Sequence, residues 1–339
     1  MSVKMLFVVG APRSGTTMLE RMLSSHSMVQ GGPEPHLLTP LAHLGVWDNV
    51  LKAPYDHVLA GEAQKGFIAQ LPQGEADYWA ACRAYCDVLY GRYLQGAGEK
   101  SICMDKTPAY GLILPFLAKV FPDAKYVVLS RHPLAMFSSY ANSFFDGDYT
   151  AAQGYNPIVD RYVPALAAFV RRGDVSALHV RYEDLVEEPE RWFEDICRHV
   201  EIPFEKEAID YGKGAEAAGQ AKGLGDPIGV AQHSRPTTAS VKKWAQELAS
   251  DPAKRIQMEA TVNRLSLADL DTLGYPLDTL WQPLEEAAGA PPPTAPKLTR
   301  YRLQRRMIIR LRARARQNGL FRALLKKARL TCDVLLREQ

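Results

Sequence analysis

With 339 residues, 47% of them hydrophobic and 23% charged, the chain has the ordinary make-up of a globular protein with a sizeable core. Its formal net charge of +3 is too small to imply a nucleic-acid partner. The five cysteines, at 82, 86, 103, 197 and 332, fit no zinc spacing and read as reduced core thiols. No apolar run approaches the roughly 18 residues needed to span a bilayer, and no signal-peptide pattern precedes the first strand, so the expected location is cytoplasmic.

The first predicted element is a strand at 5–10, an unbroken apolar run ending in Gly10, as expected of a strand buried on both faces. A turn over 11–15 leads into a helix from Thr16 to Ser25, with Met18, Leu19, Met22 and Leu23 at helical spacing. A short strand is expected at 101–104 and a longer one at 124–130. The turn Arg131-His132-Pro133 follows the longer strand, then a helix over 134–143. A further strand at 177–181 precedes Tyr182-Glu183-Asp184 and a helix at 189–200. Strands alternating with helices predict an α/β fold, a three-layer P-loop-type domain with a central parallel sheet flanked by helices. Residues 32–100 and 141–174 are expected to supply helices that wall a pocket, with Trp47, Tyr55, Trp79, Phe144, Phe145 and Tyr149 either lining it or packing in the core. Residues 212–240, rich in Gly, Ala, Ser and Pro, read as a long loop. The expected organisation is a domain over 1–285, a Pro/Ala linker over 286–296 and a basic segment over 297–339.

Two places carry anion chemistry. Gly10-Ala-Pro-Arg-Ser-Gly-Thr-Thr17 has the form of a nucleotide phosphate loop, except that Thr16 stands where the loop lysine would be. Backbone N–H groups of such a turn, with the helix N-terminus behind them, still form an anion nest. The lysine reaches β/γ-phosphates beside Mg²⁺, so a loop without it suits a ligand with no γ-phosphate and no required metal. Arg13 offers its fork of donors there instead. A second site is expected from Arg131, just after a strand, and Ser139, two turns into the next helix; both face the C-terminal edge of the sheet.

Together these residues resemble the PAPS-dependent sulfotransferase family, and most closely its tyrosylprotein sulfotransferase-like branch, in scattered blocks over roughly 5–280. The resemblance implies that Pro12, Arg13, Ser14, Gly15, Thr16 and Thr17 bind the 5′-phosphosulfate of 3′-phosphoadenosine 5′-phosphosulfate (PAPS), and that Arg131 and Ser139 bind its 3′-phosphate. It implies that Val29-Gln-Gly-Gly-Pro-Glu34 carries the catalytic Glu34, and Met104-Asp-Lys-Thr-Pro108 the catalytic Lys106. Arg181-Tyr-Glu-Asp-Leu185 is similar to the segment whose tyrosine, here Tyr182, lies near adenine. The stretch 228–244 resembles the loop covering the cofactor, with Ser234 and Lys243. The sequence departs from the branch at Pro35-His36, where a Thr and an Arg help hold the peptide, so the acceptor hydroxyl is left open among tyrosyl, sugar, lipid and small-molecule groups.

The implied reaction is an in-line transfer of the sulfuryl group to that hydroxyl. Glu34 is expected to act as general base, with His36 as the rival on grounds of its ordinary pKa. Arg13 and Lys106 would stabilise the moving group, and Ser234 would donate a hydrogen bond to it. Glu183 and Asp184 invite a magnesium reading, but with no loop lysine helix capping suits them better, and no metal site is expected. The alternatives are a nucleotide-kinase-like enzyme and a non-catalytic degenerate P-loop protein.

Residues 297–330 are strongly basic, with Leu303, Met307 and Leu311, then Leu320, Leu324 and Ala328, at helical spacing. Four readings fit: a basic amphipathic helix on an anionic membrane surface, a segment binding an acidic partner, a helix packed on the core, or a tail disordered in isolation.

Overall fold

The computed structural model describes residues 3–32, 34, 38–42, 57–211, 234–287 and positions within 307–328. The chain begins with β1 (Met5–Gly10), α1 (Thr16–Ser24) and β2 (Val29–Gln30), followed by α2 (Leu38–Ala42), α3 (His57–Ile68) and α4 (Glu75–Gln95). Then come β3 (Ile102–Asp105), α5 (Leu114–Val120), β4 (Lys125–Ser130), α6 (Pro133–Phe145), α7 (Tyr149–Tyr155) and α8 (Ile158–Val170). The sheet is completed by β5 (Ser176–Arg181), which leads directly into α9 (Tyr182–Glu187) and α10 (Pro189–Val200). Further on, α11 (Lys243–Ser250) and α12 (Pro252–Val262) precede three short helices ending at Glu286.

The five strands lie in the order β2-β3-β1-β4-β5 and every pairing is parallel. The period-2 alternation of a strand shows directly in β1. Met5, Phe7 and Val9 join one apolar cluster with residues of α4, α5, α6 and α8. Leu6 and Val8 join another with residues of α1, α9 and α10. The sheet is therefore covered on both faces, which is the three-layer architecture expected. Phe7 stacks on Tyr126 of the neighbouring strand at 5.4 Å and meets Phe121 edge-on at 5.2 Å. Each such fully buried side chain contributes about 1.5–3 kcal/mol.

The long strands and the helices at 16–24, 133–145 and 189–200 fall within a residue or two of their expected bounds. The two-residue β2 was not anticipated, because a strand that short leaves no periodicity to read. Proline stands at the first position of α6 and α10, where its missing N–H costs nothing. The expected wall aromatics Trp79, Phe144, Phe145 and Tyr149 are core or core-packed residues. Trp47 and Tyr55 lie outside the described residues, as do 212–233 of the expected loop and 288–296 of the expected linker. The four described cysteines are buried and free.

Two buried carboxylates fasten helices around the upper edge of the sheet. Glu247 of α11 accepts from Ser138 at 2.5 Å, Asn142 at 2.8 Å and Tyr149 at 3.2 Å, and pairs with Lys254 at 2.5 Å. This ties α11 to the helix carrying Ser139. Glu183 accepts from the backbone N–H of His132 at 3.1 Å and from the Tyr275 hydroxyl at 2.7 Å. It thus fastens the β4–α6 turn to the end of β5. Among the described residues no helix is long and apolar enough to cross a membrane.

Candidate active site

Because all five strands run the same way, the segments leaving them emerge along one edge, where ligands of open α/β sheets bind. β1 and β4 are aligned Gly10↔Leu129, and β4 and β5 Ser130↔Arg181, so the loop after Gly10, Arg131 and Tyr182 are brought side by side. β2 and β3 are aligned Gln30↔Cys103, so Glu34 and Lys106 leave adjacent strands at nearly the same height.

The phosphate loop is a tight turn closed by Ser14 N–H donating to Ala11 O at 3.1 Å. Two of its residues are left-handed, Arg13 at φ 70° and Gly15 at φ 96°. For a non-glycine residue such as arginine this conformation costs on the order of 1–3 kcal/mol, strain of the kind found at ligand clamps. A Cβ at Gly10 would stand 2.6 Å from Leu129 O, and one at Gly15 would stand 2.4 Å from the Tyr182 ring. Both glycines are therefore demanded by close packing, beyond the freedom of the turn.

The expected anion-binding residues converge. Arg13 Nε donates to Ser139 Oγ at 3.1 Å, so the two expected anion sites are joined. Arg131 donates to Arg13 O at 3.0 Å and to Ser240 O at 3.1 Å, and its guanidinium lies 4.5 Å over the Tyr182 ring. The Tyr182 hydroxyl is 2.8 Å from Ser240 Oγ. Thr16 and Ser14 are buried, and Pro12, Arg13 and Thr17 are partly exposed. Among the described residues, Ser14 Oγ and Arg131 Nε are buried with no hydrogen-bond partner. Buried polar atoms are ordinarily satisfied, so two unsatisfied donors in one cradle fit an anionic ligand that completes them. The residues present therefore fit the two anionic ends of PAPS.

On the other half of the edge, Lys106 Nζ lies 2.6 Å from Glu34 Oε1, with the lysine side chain 2% exposed and the glutamate 12%. Glu34 is led there by Gly31 and Gly32. A Cβ on Gly31 would stand 2.2 Å from Met104 Cε and 2.3 Å from Ser24 Oγ, and one on Gly32 would stand 2.6 Å from the Tyr93 hydroxyl. Lys106 is held from behind by Asp105, which is buried and accepts from Tyr90 at 2.5 Å, Tyr110 at 3.0 Å and Thr107 at 3.0 Å. Burial, with Asp105 adding to it, pushes both tyrosine hydroxyls far above their ordinary pKa, so they remain donors. Tyr110 in turn accepts from Leu38 N at 2.9 Å, which anchors α2 beside the site.

A carboxylate absent from the sequence-based set also belongs here. Glu20 of α1 is buried and accepts from Ser24 at 3.1 Å. Burial raises its pKa, while the charge of Lys106 pulls it back down. The available signal was an acid placed four residues after Thr16, on the helix side that faces the loop. Ser240, the other residue missed, follows a stretch with no periodicity.

Three sequence-based candidates are not gathered into this cluster. Ser234 is exposed, and the next residue, Arg235, pairs with Glu190 at 3.3 Å. Lys243 is exposed at the start of α11. His36 lies outside the described residues. Burial, reinforced by Arg131, lowers the pKa of His132 to about 3, and the ring stacks on Trp244 at 4.4 Å, so this histidine is a neutral structural group. Among the described residues no three His, Cys, Asp or Glu are grouped to hold a metal.

A family model described as "Sulfotransferase family" matches residues 6–206. The nodulation protein NoeE of Sinorhizobium fredii is 30% identical over 204 residues, covering 54% of this chain and 46% of that protein, so this chain spans about half its length. The protein-tyrosine sulfotransferase 1 of Danio rerio is 24% identical over 276 residues, covering 80% of this chain and 72% of that one. The fold is similar to the solved sulfotransferase domain from the curacin biosynthetic pathway, at TM-score 0.50 and 22% identity, over 86% of this chain and 99% of that domain.

Proposed function

Since this chain belongs to the sulfotransferase family, we propose that it moves the sulfuryl group of PAPS to an acceptor hydroxyl, with Glu34 as general base. The observation that carries this reading is the arrangement along one sheet edge. An arginine-rich cradle with unsatisfied buried donors stands beside a Lys106–Glu34 pair at 2.6 Å. The first half suits a ligand with two anionic ends. The second supplies a base and a cation where an oxygen must lose a proton and a leaving phosphate must gain stabilisation.

In the mechanism that follows, Arg13 and the loop N–H groups hold the phosphosulfate, and Arg131 with Ser139 holds the 3′-phosphate. Tyr182, fixed between Gly15 and Arg131, lies on the adenine side. Glu34 takes the proton of the acceptor hydroxyl as the new O–S bond forms. The S–O bond to the 5′-phosphate breaks, and Lys106 with Arg13 neutralises the oxygen that leaves on adenosine 3′,5′-bisphosphate. In the resting pair the two charges satisfy each other. An arriving anionic donor competes for Lys106 and releases Glu34 to act as base.

The acceptor class is proposed as a hydroxyl of a tyrosyl peptide, sugar, lipid or small molecule. The test is calorimetric binding of adenosine 3′,5′-bisphosphate without magnesium, followed by transfer from labelled PAPS to a panel of such hydroxyls. Micromolar binding that weakens about a hundredfold in Arg131→Ala is expected, consistent with loss of a charge-assisted fork. Glu34→Gln is expected to keep that binding and to lose about 10²–10⁴-fold in turnover. Absence of bisphosphate binding by the wild type overturns the reading.

A further inference from the structure

We infer that the basic C-terminal helix docks on the surface of an anionic lipid bilayer. Between Lys297 and Arg329 the chain carries 13 Lys and Arg residues and no Asp or Glu. The described residues within 307–328 are helical apart from Asn318. Asn318 restarts the helix as its N-cap, its side chain accepting from Phe321 N at 3.1 Å.

Among the described residues of this segment, five large apolar side chains are exposed and Phe321 is partly so. Leu320 is 85% exposed, Leu324 65% and Met307 57%, with Leu311 and Leu325 also exposed. From Leu320 onward the helical period sorts the two chemistries. Read at helical spacing in the sequence, Leu320, Leu324 and Ala328 recur every fourth residue, with Phe321 and Leu325 beside them and Lys327 at the edge of that row, while Arg322, Lys326 and Arg329 fall on the opposite arc.

Charge and apolarity together choose the occupant. A nucleic-acid backbone or an acidic protein surface would account for the arginines but leaves the row of exposed leucines unexplained. An anionic bilayer interface takes both, the leucines into the acyl boundary and the basic arc against the headgroups. This inference does not depend on the sulfuryl-transfer reading.

The experiment is co-sedimentation of the full chain with phosphatidylcholine vesicles, with and without phosphatidylserine, alongside the double variant Leu320→Glu/Leu324→Glu. We expect partition into the phosphatidylserine vesicles to be stronger by about tenfold or more. It should fall when NaCl is raised from about 0.1 to about 0.5 M. The double variant should lose about tenfold of it while its melting temperature stays within about 1 °C of the wild type.

Equal partition into both vesicle types overturns the inference. So does a double variant that binds vesicles as the wild type does, or binding of duplex nucleic acid that displaces the vesicles. A double variant that melts several degrees lower places the leucines on the protein's own core. One that converts a dimer to a monomer places them on a second copy. Either result also overturns the inference.

Discussion

Single residues at the site carry loads that their neighbours reveal. Asp105 is 1% exposed and accepts from three hydroxyls while its backbone leads straight into Lys106. Replacing it by Asn keeps the volume but removes the charge that all three hydroxyls are directed toward, and places an NH₂ among donors. Asp105→Asn is expected to lower stability by about 1–3 kcal/mol in urea unfolding. Turnover should fall more than adenosine bisphosphate binding does, since Lys106 and not the arginine cradle is loosened. Equal losses in both would show that Asp105 supports the fold generally. Arg13 and Arg131 were legible in the sequence because each sits in a turn directly after a strand, whereas Glu34 and Lys106 came from the family resemblance, Lys106 also following an expected strand. Glu20 was hidden because an acid inside an amphipathic helix looks like any solvated residue until burial is known. Ser234 and Lys243 rested on resemblance alone, in a region with no period, and the structure does not draw them to the cluster.

At the scale of elements, the least conspicuous strand places Glu34, the proposed general base. β2 has two residues, and the Gly31-Gly32 step that follows it runs in contact with Ser24, Met104 and Tyr93. Tyr93 also donates to Gly31 O at 2.9 Å. Ser24 Oγ and Met104 Cε are ends of flexible side chains, so an added methyl would displace them and the strand rather than prevent folding. Gly31→Ala is therefore expected to fold, to bind the bisphosphate, and to lose about tenfold or more in turnover. A displacement of about 1 Å near the chemistry can cost up to about a hundredfold. Unchanged turnover would mean that Glu34 is positioned independently of this step. The α/β alternation and the four longer strands were readable because both buried faces demand unbroken apolar runs. The short strand and the hydrogen-bonded ties through Asp105, Glu183 and Glu247 were not, since they join residues far apart in the chain.

At the scale of the whole molecule, among the described residues buried His132 and half-buried His179 contribute to acid sensitivity. Burial lowers the pKa of His132 to about 3 and that of His179 to about 4. Above about pH 6.5 both are neutral whether the chain is folded or not, and neither affects stability. Below it the unfolded chain takes up protons that the folded protein refuses, so stability falls with pH until the folded groups titrate near pH 3–4. Each adds a slope of about 1.4 kcal/mol per pH unit in that window. His132→Phe or His179→Phe should flatten the decline of melting temperature between about pH 6 and 4. A profile as steep as the wild type's would place the acid sensitivity on carboxylates instead. His132 is also part of the Arg131 turn, so acid unfolding and loss of bisphosphate binding should coincide.

The strand order also divides the labour. The groups proposed to grip PAPS leave β1, β4 and β5, whereas Glu34 and Lys106, the proposed base and its lysine, leave β2 and β3, on the opposite wing of the sheet. The segments that follow β2 can therefore diverge in length and chemistry without disturbing the nucleotide grip. A lineage built on this plan can acquire new acceptors by editing one wing. Loop grafts confined to that wing are the economical way to redirect the enzyme.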